Sequence, residues 1–423
     1  MSKIRFIDLF AGIGGIRKGF ELACSEKGIE SECVFTSEIK PYAINILKQN
    51  HPEDKISGDI TTVKNSEIPD FDFLLAGFPC QAFSAAGKRL GFEDTRGTLF
   101  FEVARIIKEK KPKGFILENV EGLVNHDKEN NKDEIGKTLR TILDTLKELG
   151  YKVSWKVLNS KYFSVPQERK RIYIVGTMRE APNLEHFTPV EKNLSTILEC
   201  GLPTAHSPFI DLVLKNYPMD CLYGKSFKDK RGGEDNIHSW DIGLKGSVTD
   251  TEKTLLETIL RERRKKKWAE EYGIDWMDGM PLTYNHIQSF FKHDDLQKLL
   301  SGLVRKDYLK REYPKQRVGN KRVQDENLPL GYNIVAGKMS FEINKVLDPN
   351  GVTPTLVAMD MQRLFVVDGQ GLRTLTLREG LRLFGYPDDF KFEITKDLGY
   401  DLLGNTVVVP VIKAVATRTL DVI

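Results

Sequence analysis

Over its first 180 residues the chain alternates two hydrophobic rhythms. IRFIDLF (4–10) is a short apolar run of the kind a buried strand shows, AGIGG breaks it, and IRKGFELACSEKG carries apolar positions at helical spacing. The same order returns in SECVFTSEI (31–39), a strand with an acid at its end, followed by the helical PYAINILKQNH. GDIT (58–61) closes a short strand, and FDFLLAG (71–77) is another. A helix, FFEVARIIKEKKP (100–112), leads to the strand GFILENV (114–120). GKTLRTILDTLKELGY (136–151) has a clear apolar face and is ended by Gly150. KVSWKVLNS and RIYIVGT are two further strands. Strands alternating with helices predict an α/β fold, a Rossmann-like, mostly parallel sheet covered on both faces. Ligands of such sheets bind beyond the carboxyl ends of the strands.

The rhythm stops near residue 185. Residues 186–373 are broken by Pro, Gly and charge clusters, which predicts a smaller, irregular second domain. TLTLREGLRLFGYPDDF (374–390) restores a helix, and GNTVVVPVIKAVATRTL (404–420) adds an apolar one. The first domain is therefore expected to comprise residues 1–185 plus 374–423, with no internal repeat.

Composition narrows the class. No apolar run approaches the roughly 18 residues that span a bilayer, and the first residues lack signal-peptide anatomy, so a cytoplasmic protein with no membrane partner is expected. Five cysteines (Cys24, Cys33, Cys80, Cys200, Cys221) are spread without a Cys-x-x-Cys pair, which leaves neither a disulfide framework nor a metal site. Net charge is only +3, so any basic surface must be local.

The strand ends carry the informative residues. DLFAGIGG (8–15) has glycines at a βα corner, spaced G-x-G-G, serving either a tight turn or close approach to a ligand. Glu38 ends the second strand, where a carboxylate can hold both hydroxyls of a ribose, and Asp59 ends the third, where it can accept from an adenine amino group. Each alone reads as a solvated or capping acid; in this order they describe a nucleoside site. LLAGFPCQAFSAAGKR (74–89) ends a core strand on Pro79 and Cys80. A lone cysteine is usually an inert buried thiol, but at a strand end it can be a nucleophile if nearby positive charge favours its thiolate. The loop beyond it contains Gly87, Gly91 and Gly97 with Lys88, Arg89 and Arg96. It suits a lid closing on a phosphate backbone, or simply a flexible surface loop. Glu118 ends the next strand, where it could face Cys80 across a substrate. In QERKR (167–171), alternation puts Arg169 and Arg171 on one side.

These motifs together resemble the bacterial DNA (cytosine-5)-methyltransferase family. FIDLFAGIGG, TSEI, GDI, GFPCQAFS, ENV, QERKRIYIVG, LREGLRLFGYP and GNTVVVPVI stand in that family's order and cover roughly residues 4–180 and 374–420. One departure is Ala82, where the family usually has proline after Pro-Cys-Gln. The resemblance implies S-adenosylmethionine as methyl donor and a cytosine flipped out of duplex DNA as acceptor. It implies Cys80 as the nucleophile on C6, Glu118 holding N3 and the exocyclic amine, and Arg171 stabilising the base. Arg169 would lie nearer the DNA backbone. Phe10, Ala11, Gly12, Ile13 and Gly14 would touch the cofactor. Glu38 and Ile39 would lie at its ribose, Asp59 and Ile60 at its adenine, Pro79 near the methyl group, and Asn405 and Val407 would complete the pocket. Gln81, Ser84, Lys88, Arg89 and Arg96 would contact DNA. A monomer is expected, in a restriction-modification system whose endonuclease is a functional partner.

In that family the middle segment reads the target sequence. Here LTYNHIQSFFKHDDLQKLLSGLVRKDYLKREY (282–313) reads as helix, turn, helix, strand, with Asp294 and Asp295 as candidate caps. GYNIVAG and KMSFEINKV follow as strand-like pieces, an order like a winged helix over 282–345. Residues 303–322 hold eight Lys or Arg against two acids, which nominates Arg305 and Lys306 for DNA contact. A small helical core with an exposed basic strand explains the segment equally well. RERRKKK (261–267) reads as a solvated basic run, and the loop around His238 and Trp240 either contacts bases or packs. Rival classes are a tRNA cytosine-5 methyltransferase, whose Cys-Phe-Thr segment is missing here, a silent DNA-binding regulator on the same fold, and a nucleotide-dependent oxidoreductase resting on the glycine turn alone.

Overall fold

The computed structural model describes residues 3–79, 99–130, 133–275, 279–319, 321–336, 341–358 and 360–423. In chain order the first elements are β1 (Lys3–Leu9), α1 (Gly15–Glu26), β2 (Glu30–Ser37), α2 (Pro41–Asn50), β3 (Ile56–Ser57), β4 (Phe73–Ala76), α3 (Leu99–Lys110), β5 (Gly114–Val120), α4 (Lys137–Glu148), β6 (Lys152–Asn159) and β7 (Lys170–Thr177). Then come α5 (Pro208–Asn216), β8 (Ser226–Phe227), β9 (Asn236–Ile237), α6 (Asp250–Glu262), α7 (Lys267–Glu270), α8 (Tyr284–Phe290), α9 (Leu296–Arg305), β10 (Leu309–Glu312), β11 (Lys315–Val318), β12 (Lys321–Gln324), β13 (Gly331–Ile334), β14 (Lys345–Val346), β15 (Leu364–Asp368) and β16 (Gly371–Thr374). The chain closes with α10 (Leu377–Leu383), α11 (Lys396–Asn405) and α12 (Val409–Leu420).

The chain divides into two units. The first comprises Met1–Glu199, Pro349–Gln362 and Leu375–Ile423; the second comprises Cys200–Asp348 and Arg363–Thr374. Residues 186–199 and 349–362 thus go with the first unit, outside the 1–185 plus 374–423 expected from the hydrophobic rhythm. Backbone hydrogen bonds explain why: Ser164 N–H donates to the Val190 carbonyl, Thr353 N–H to the Pro166 carbonyl and Leu194 N–H to the Gly351 carbonyl. These segments are irregular, so periodicity could not find them.

The first unit is α/β. Its seven-stranded sheet has the order β3-β2-β1-β4-β5-β7-β6. β1 pairs parallel with β2 and β4, and β4 with β5, whereas β7 runs antiparallel to both β5 and β6. On one face Phe20 of α1 packs between Phe6 and Phe73 at 5.1 Å from each ring. On the other face Ile7, Leu9, Leu74 and Ala76 meet Phe100 and Val103 of α3 and Ile142 of α4 in one core. In α4 the buried Leu139, Ile142, Leu143 and Leu146 recur at three- and four-residue spacing, and Gly150 (φ 93°) ends the helix. The strand order reverses between β1 and β4, so a crevice opens beyond Leu9 and Ala76, the switch point where open α/β sheets bind ligands.

One stretch among the described residues, Lys396–Leu420, passes for a membrane span by length and composition, which a search for apolar runs did not show. It comprises α11 and α12 with residues 406–408 between them, and 61% of its most apolar window is buried. Burial within a unit's core accounts for its hydropathy.

The second unit has two cores. One gathers Phe209, Leu222, Phe227, Phe341 and Leu372 around the sheet β16-β15-β14-β8-β9. The other gathers Leu255 and Ile259 of α6, Ile287 of α8, Leu296, Leu300 and Leu303 of α9, and Leu309 and Ile334 of the strands. β10 pairs antiparallel with β13, and Leu282, between α6 and α8, exchanges both backbone hydrogen bonds with Tyr332 of β13 (2.9 and 2.7 Å). β11 and β12 form a separate exposed ribbon. The segment 341–346 is strand only at Lys345–Val346. Asp295 takes the cap position of α9, but its side chain accepts no capping bond.

Candidate active site

The turn from β1 to α1 passes through left-handed backbone at Phe10 (φ 55°), Gly12 (φ 56°) and Gly14 (φ 81°). A Cβ on Gly12 would meet nothing within 4 Å, so its φ, not crowding, calls for glycine, and space lies open before the turn. Gly15 is the opposite case: a Cβ there would fall 2.6 Å from the Tyr386 hydroxyl and 2.7 Å from Val407. Its bareness lets the C-terminal segment close against the turn. Ala11 and Ile13 are buried, and Ala11 N–H donates to the Ser37 carbonyl at 3.1 Å.

Glu38 follows β2 and is nearly buried. Its Oε2 accepts from Gly12 N–H (2.7 Å), and its Oε1 accepts from Ile39 and Lys40 N–H (both 2.8 Å). A carboxylate has about four acceptor positions, so three are already used and roughly one remains. Glu38 therefore pins the glycine turn before it can bind anything. Ile39 beside it is 66% exposed, an apolar side chain standing in water. Asp59 takes Thr61 N–H (2.9 Å) and Thr61 hydroxyl (2.8 Å) on Oδ1, while no hydrogen bond is formed to Oδ2 among the described residues. Ile60 is buried. From the C-terminus, Asn405 Nδ2 donates to the Asp401 carbonyl (2.7 Å), and the Asp401 carboxylate accepts from Lys40 (3.1 Å) and Tyr42 (2.7 Å). Phe10, Ala11, Gly12, Ile13, Gly14, Glu38, Ile39, Asp59, Ile60, Asn405 and Val407 thus gather at the ends of β1, β2 and β3.

Beyond the switch point, Gly77 to Pro79 leave β4 in the direction of β5. Glu118 is 8% exposed near the end of β5. Its Oε1 lies 3.2 Å from Arg171 Nε. A Cβ on Gly77 would come within 3.7 Å of Glu118 Oε2. Asn119 Nδ2 donates to the Phe78 carbonyl at 2.9 Å, tying this strand to the residues just before Cys80. Burial raises the Glu118 pKa above its ordinary value, and the Arg171 and Arg169 charges hold the rise back without cancelling it. Pro79 is exposed. Cys80, Gln81, Ser84, Lys88, Arg89 and Arg96 lie outside the described residues. An open cleft of about 540 Å³ runs along the Arg171 side, lined by Val120, Glu121, Glu168, Lys170 and Thr355 among others. That volume is in the range of small-ligand sites.

Three expectations need correction. Arg169 does not face outward toward a DNA backbone. It is 4% exposed, and its guanidinium donates to the carbonyls of Leu356 (2.9 Å), Gly404 (3.1 Å) and Thr406 (2.9 Å), 5.3 Å from the Phe384 ring. It is a clasp joining β7's approach to the C-terminal segments. Lys306 is not free for phosphate either, because its ammonium donates to both oxygens of Glu252 (2.8 and 2.9 Å). Arg305, one residue earlier, is exposed. Around His238 and Trp240 the structure decides for packing, since the two buried rings stack at 4.5 Å. The basic run 261–267 is not wholly a solvated face, because Arg263 is buried and donates to Asn333 Oδ1 at 2.5 Å.

Asp8 escaped the sequence reading. It is 1% exposed in β1, neither carboxylate oxygen has a hydrogen-bond partner among the described residues, and burial pushes its pKa up to about 8. The signal was available as an acid inside an otherwise apolar strand. Asn119 and Gln167 also escaped. Gln167 is fully buried and donates to the Leu383 carbonyl at 2.9 Å.

A mostly parallel sheet with a glycine turn, two strand-end acids and a buried, ion-paired glutamate around its switch point has the layout of an α/β enzyme. The chain belongs to the C-5 cytosine-specific DNA methylase family, whose family model matches residues 4–421. It is thus an enzyme that methylates cytosine in DNA. It is 65% identical over 420 residues to the Type II methyltransferase M.NlaIV of Neisseria lactamica, covering 99% of each chain. It is 64% identical to the Type II methyltransferase M.NgoBV of Neisseria gonorrhoeae, again over 99% of each chain. It is 42% identical to M.HgiCI of Herpetosiphon aurantiacus over 97% of this chain and 96% of that one. Among solved structures, a Dnmt2 methyltransferase from S. pombe shares the fold with a TM-score of 0.53 at 14% identity, over 99% of this chain and 98% of that chain. The Entamoeba histolytica methyltransferase EhMeth does so with a TM-score of 0.52 at 16% identity, over 100% of this chain and 99% of that chain.

Proposed function

We propose that the chain transfers a methyl group from S-adenosylmethionine to C5 of a cytosine flipped out of duplex DNA, through a transient bond between Cys80 and C6. The observation that carries this reading is Glu118: buried, raised in pKa, ion-paired to Arg171 and abutting the root of the Pro79-Cys80 segment.

The residues present fit S-adenosylmethionine. Gly12 faces open space, Ile39 offers an exposed apolar surface for an adenine, Asp59 keeps one oxygen for its amino group, and Glu38 keeps about one acceptor position for a ribose hydroxyl. When bound, the cofactor supplies an electrophilic methyl group. The chain does the rest. Cytosine C5 is a poor nucleophile, and addition of the Cys80 thiolate to C6 makes C5 enamine-like. Protonated Glu118 donates to N3 as electron density builds there, and Arg171 holds Glu118 in place and balances developing charge. Loss of the C5 proton to solvent and departure of Cys80 restore the ring double bond and the thiolate, and the N3 proton returns to Glu118. Arg169 acts on this site only by holding the strand that carries Arg171.

The Type II relatives support a role in protecting DNA within a restriction-modification system, with a cognate endonuclease as functional partner. The test offers duplex DNA and tRNA separately to purified wild type and Cys80→Ala with methyl-labelled S-adenosylmethionine. Label should enter DNA with the wild type and fall roughly 10⁴-fold or more in the variant. Label entering tRNA alone, or equal transfer by both proteins, would overturn the reading.

A further inference from the structure

We propose that residues 250–334 form a winged helix whose α9 reads base edges in the major groove and whose β11–β12 ribbon grips the phosphate backbone of the same duplex. This deepens the reading of the preceding subsection and rests on it for the choice of DNA as partner.

The topology carries the first part. The order is helix (α6), a single helical turn (α7), a strand position at Leu282, helix (α8), helix (α9), strand (β10), ribbon (β11–β12) and strand (β13). Leu282 and β10 both pair with β13, and the three helices share one core with them. The second helix of such a helix-turn-helix is the element that enters the major groove.

The exposed face of α9 carries the second part. Leu296, Leu300 and Leu303 are buried, while Gln297, Lys298, Ser301 and Arg305 are exposed along the opposite side. Those four are side-chain types that hydrogen-bond base edges: Gln to adenine, Lys and Arg to guanine, Ser to several bases. None of the four makes a side-chain hydrogen bond or ion pair among the described residues, and the exposed face of α9 holds no acid. Lys306 shows the contrast, because it faces inward and is held by Glu252. A helix about 10–12 Å across with its side chains fits a groove about 12 Å wide.

The ribbon carries the third part. Arg317, Val318, Lys321, Arg322, Val323 and Gln324 are all exposed, with Val318 at 65% and Val323 at 51%. A two-stranded ribbon solvated on both faces is marginal by itself. Its outer positions bury nothing here, and three of its four cations, Arg317, Lys321 and Arg322, are exposed with no acid between Lys315 and Gln324, a surface that suits a polyanion.

The test uses the full chain. A duplex is selected by binding from a random-sequence pool, so the probe does not depend on methyl transfer, and a scrambled duplex of equal length serves as comparison. Affinities are measured by fluorescence anisotropy across a salt series for wild type, Gln297→Ala/Arg305→Ala and Lys321→Ala/Arg322→Ala. The helix pair should lose roughly tenfold or more on the selected duplex, little on the scrambled one, and should broaden the set of methylated cytosine contexts. The ribbon pair should weaken both duplexes alike and flatten the salt slope by about two. Wild-type affinities, salt slopes and methylated contexts in both variants would overturn the proposal, as would a wild type that selects no sequence. A wild type that binds its selected duplex but methylates nothing would instead sink the methyltransferase reading and leave the binding comparison to decide this one.

Discussion

Glu118 and Arg305 stand at opposite extremes of solvation. In the first unit the side chains assigned to chemistry are buried and engaged: Glu118 with Arg171, Glu38 with the backbone of the glycine turn. In the second unit the side chains assigned to reading are exposed and make no side-chain bond among the described residues. Chemistry gains from groups whose solvent reorganisation is already done. Recognition of many competing sequences gains from groups that lose water only when the right partner replaces it. The two kinds of site therefore look different before any substrate arrives.

The sharpest way to break this comparison is Glu118→Gln. If the buried carboxyl supplies a proton, kcat should fall about 10²- to 10⁴-fold with duplex affinity nearly unchanged. The pH profile adds a sign. Because burial raises the folded pKa, the protonated form and any stability it brings are present at low pH and lost as pH rises through the folded value. The wild type should show that alkaline decline, and the Gln variant should lack it. A profile identical in both would remove Glu118 from the chemistry.

Next in size is the pair Arg169→Met and Arg171→Met, two residues apart. Arg169→Met leaves buried carbonyls without donors and should cost about 3–5 kcal/mol in urea denaturation. Arg171→Met leaves Glu118 buried without its partner, so it should cost some stability, but less than Arg169→Met, while lowering kcat about 10²-fold. Equal stability losses would mean that both arginines are structural.

The smallest expected effect concerns neighbours on α9. Lys306→Met should cost roughly 1 kcal/mol of stability and leave duplex affinity unchanged. Burial alone would raise Glu252, but its hydrogen bonds from Lys306 and Thr249 hold it below its ordinary pKa. The stabilisation is therefore present at neutral pH and fades as pH falls through the folded value. A Lys306 variant that loses affinity as Arg305→Ala does would place both side chains at the duplex.

The same comparison explains what could be read from residues alone. Alternating strands and helices placed Glu38, Asp59 and Glu118 at strand ends because periodicity and glycine breaks mark those ends directly. Arg169 and Arg171 share a side of the chain, as alternation requires, but alternation says nothing about depth. The carbonyls that claim Arg169 come from Leu356, Gly404 and Thr406, far along the chain. Arg305 and Lys306 carry equal charge, and only the helical turn that brings Lys306 to Glu252 separates them. The ribbon has no alternation to find, because neither of its faces is buried.

One feature of the first unit bears on how the protein is made. Its sheet is encoded early, yet α12, which packs on α1, follows the whole second unit in the chain. At roughly 5–20 residues per second, synthesis of the intervening chain takes on the order of ten seconds. During that interval Gly15 and Gly19 lack the Val407 and Ile412 side chains that lie against them in the finished unit. A ribosome that stalls within the reader releases a fragment whose catalytic half has never closed. Chain order thus makes α12 the last element of the first unit to be supplied, so a product truncated before residue 407 lacks the side chains that lie against Gly15 and Gly19.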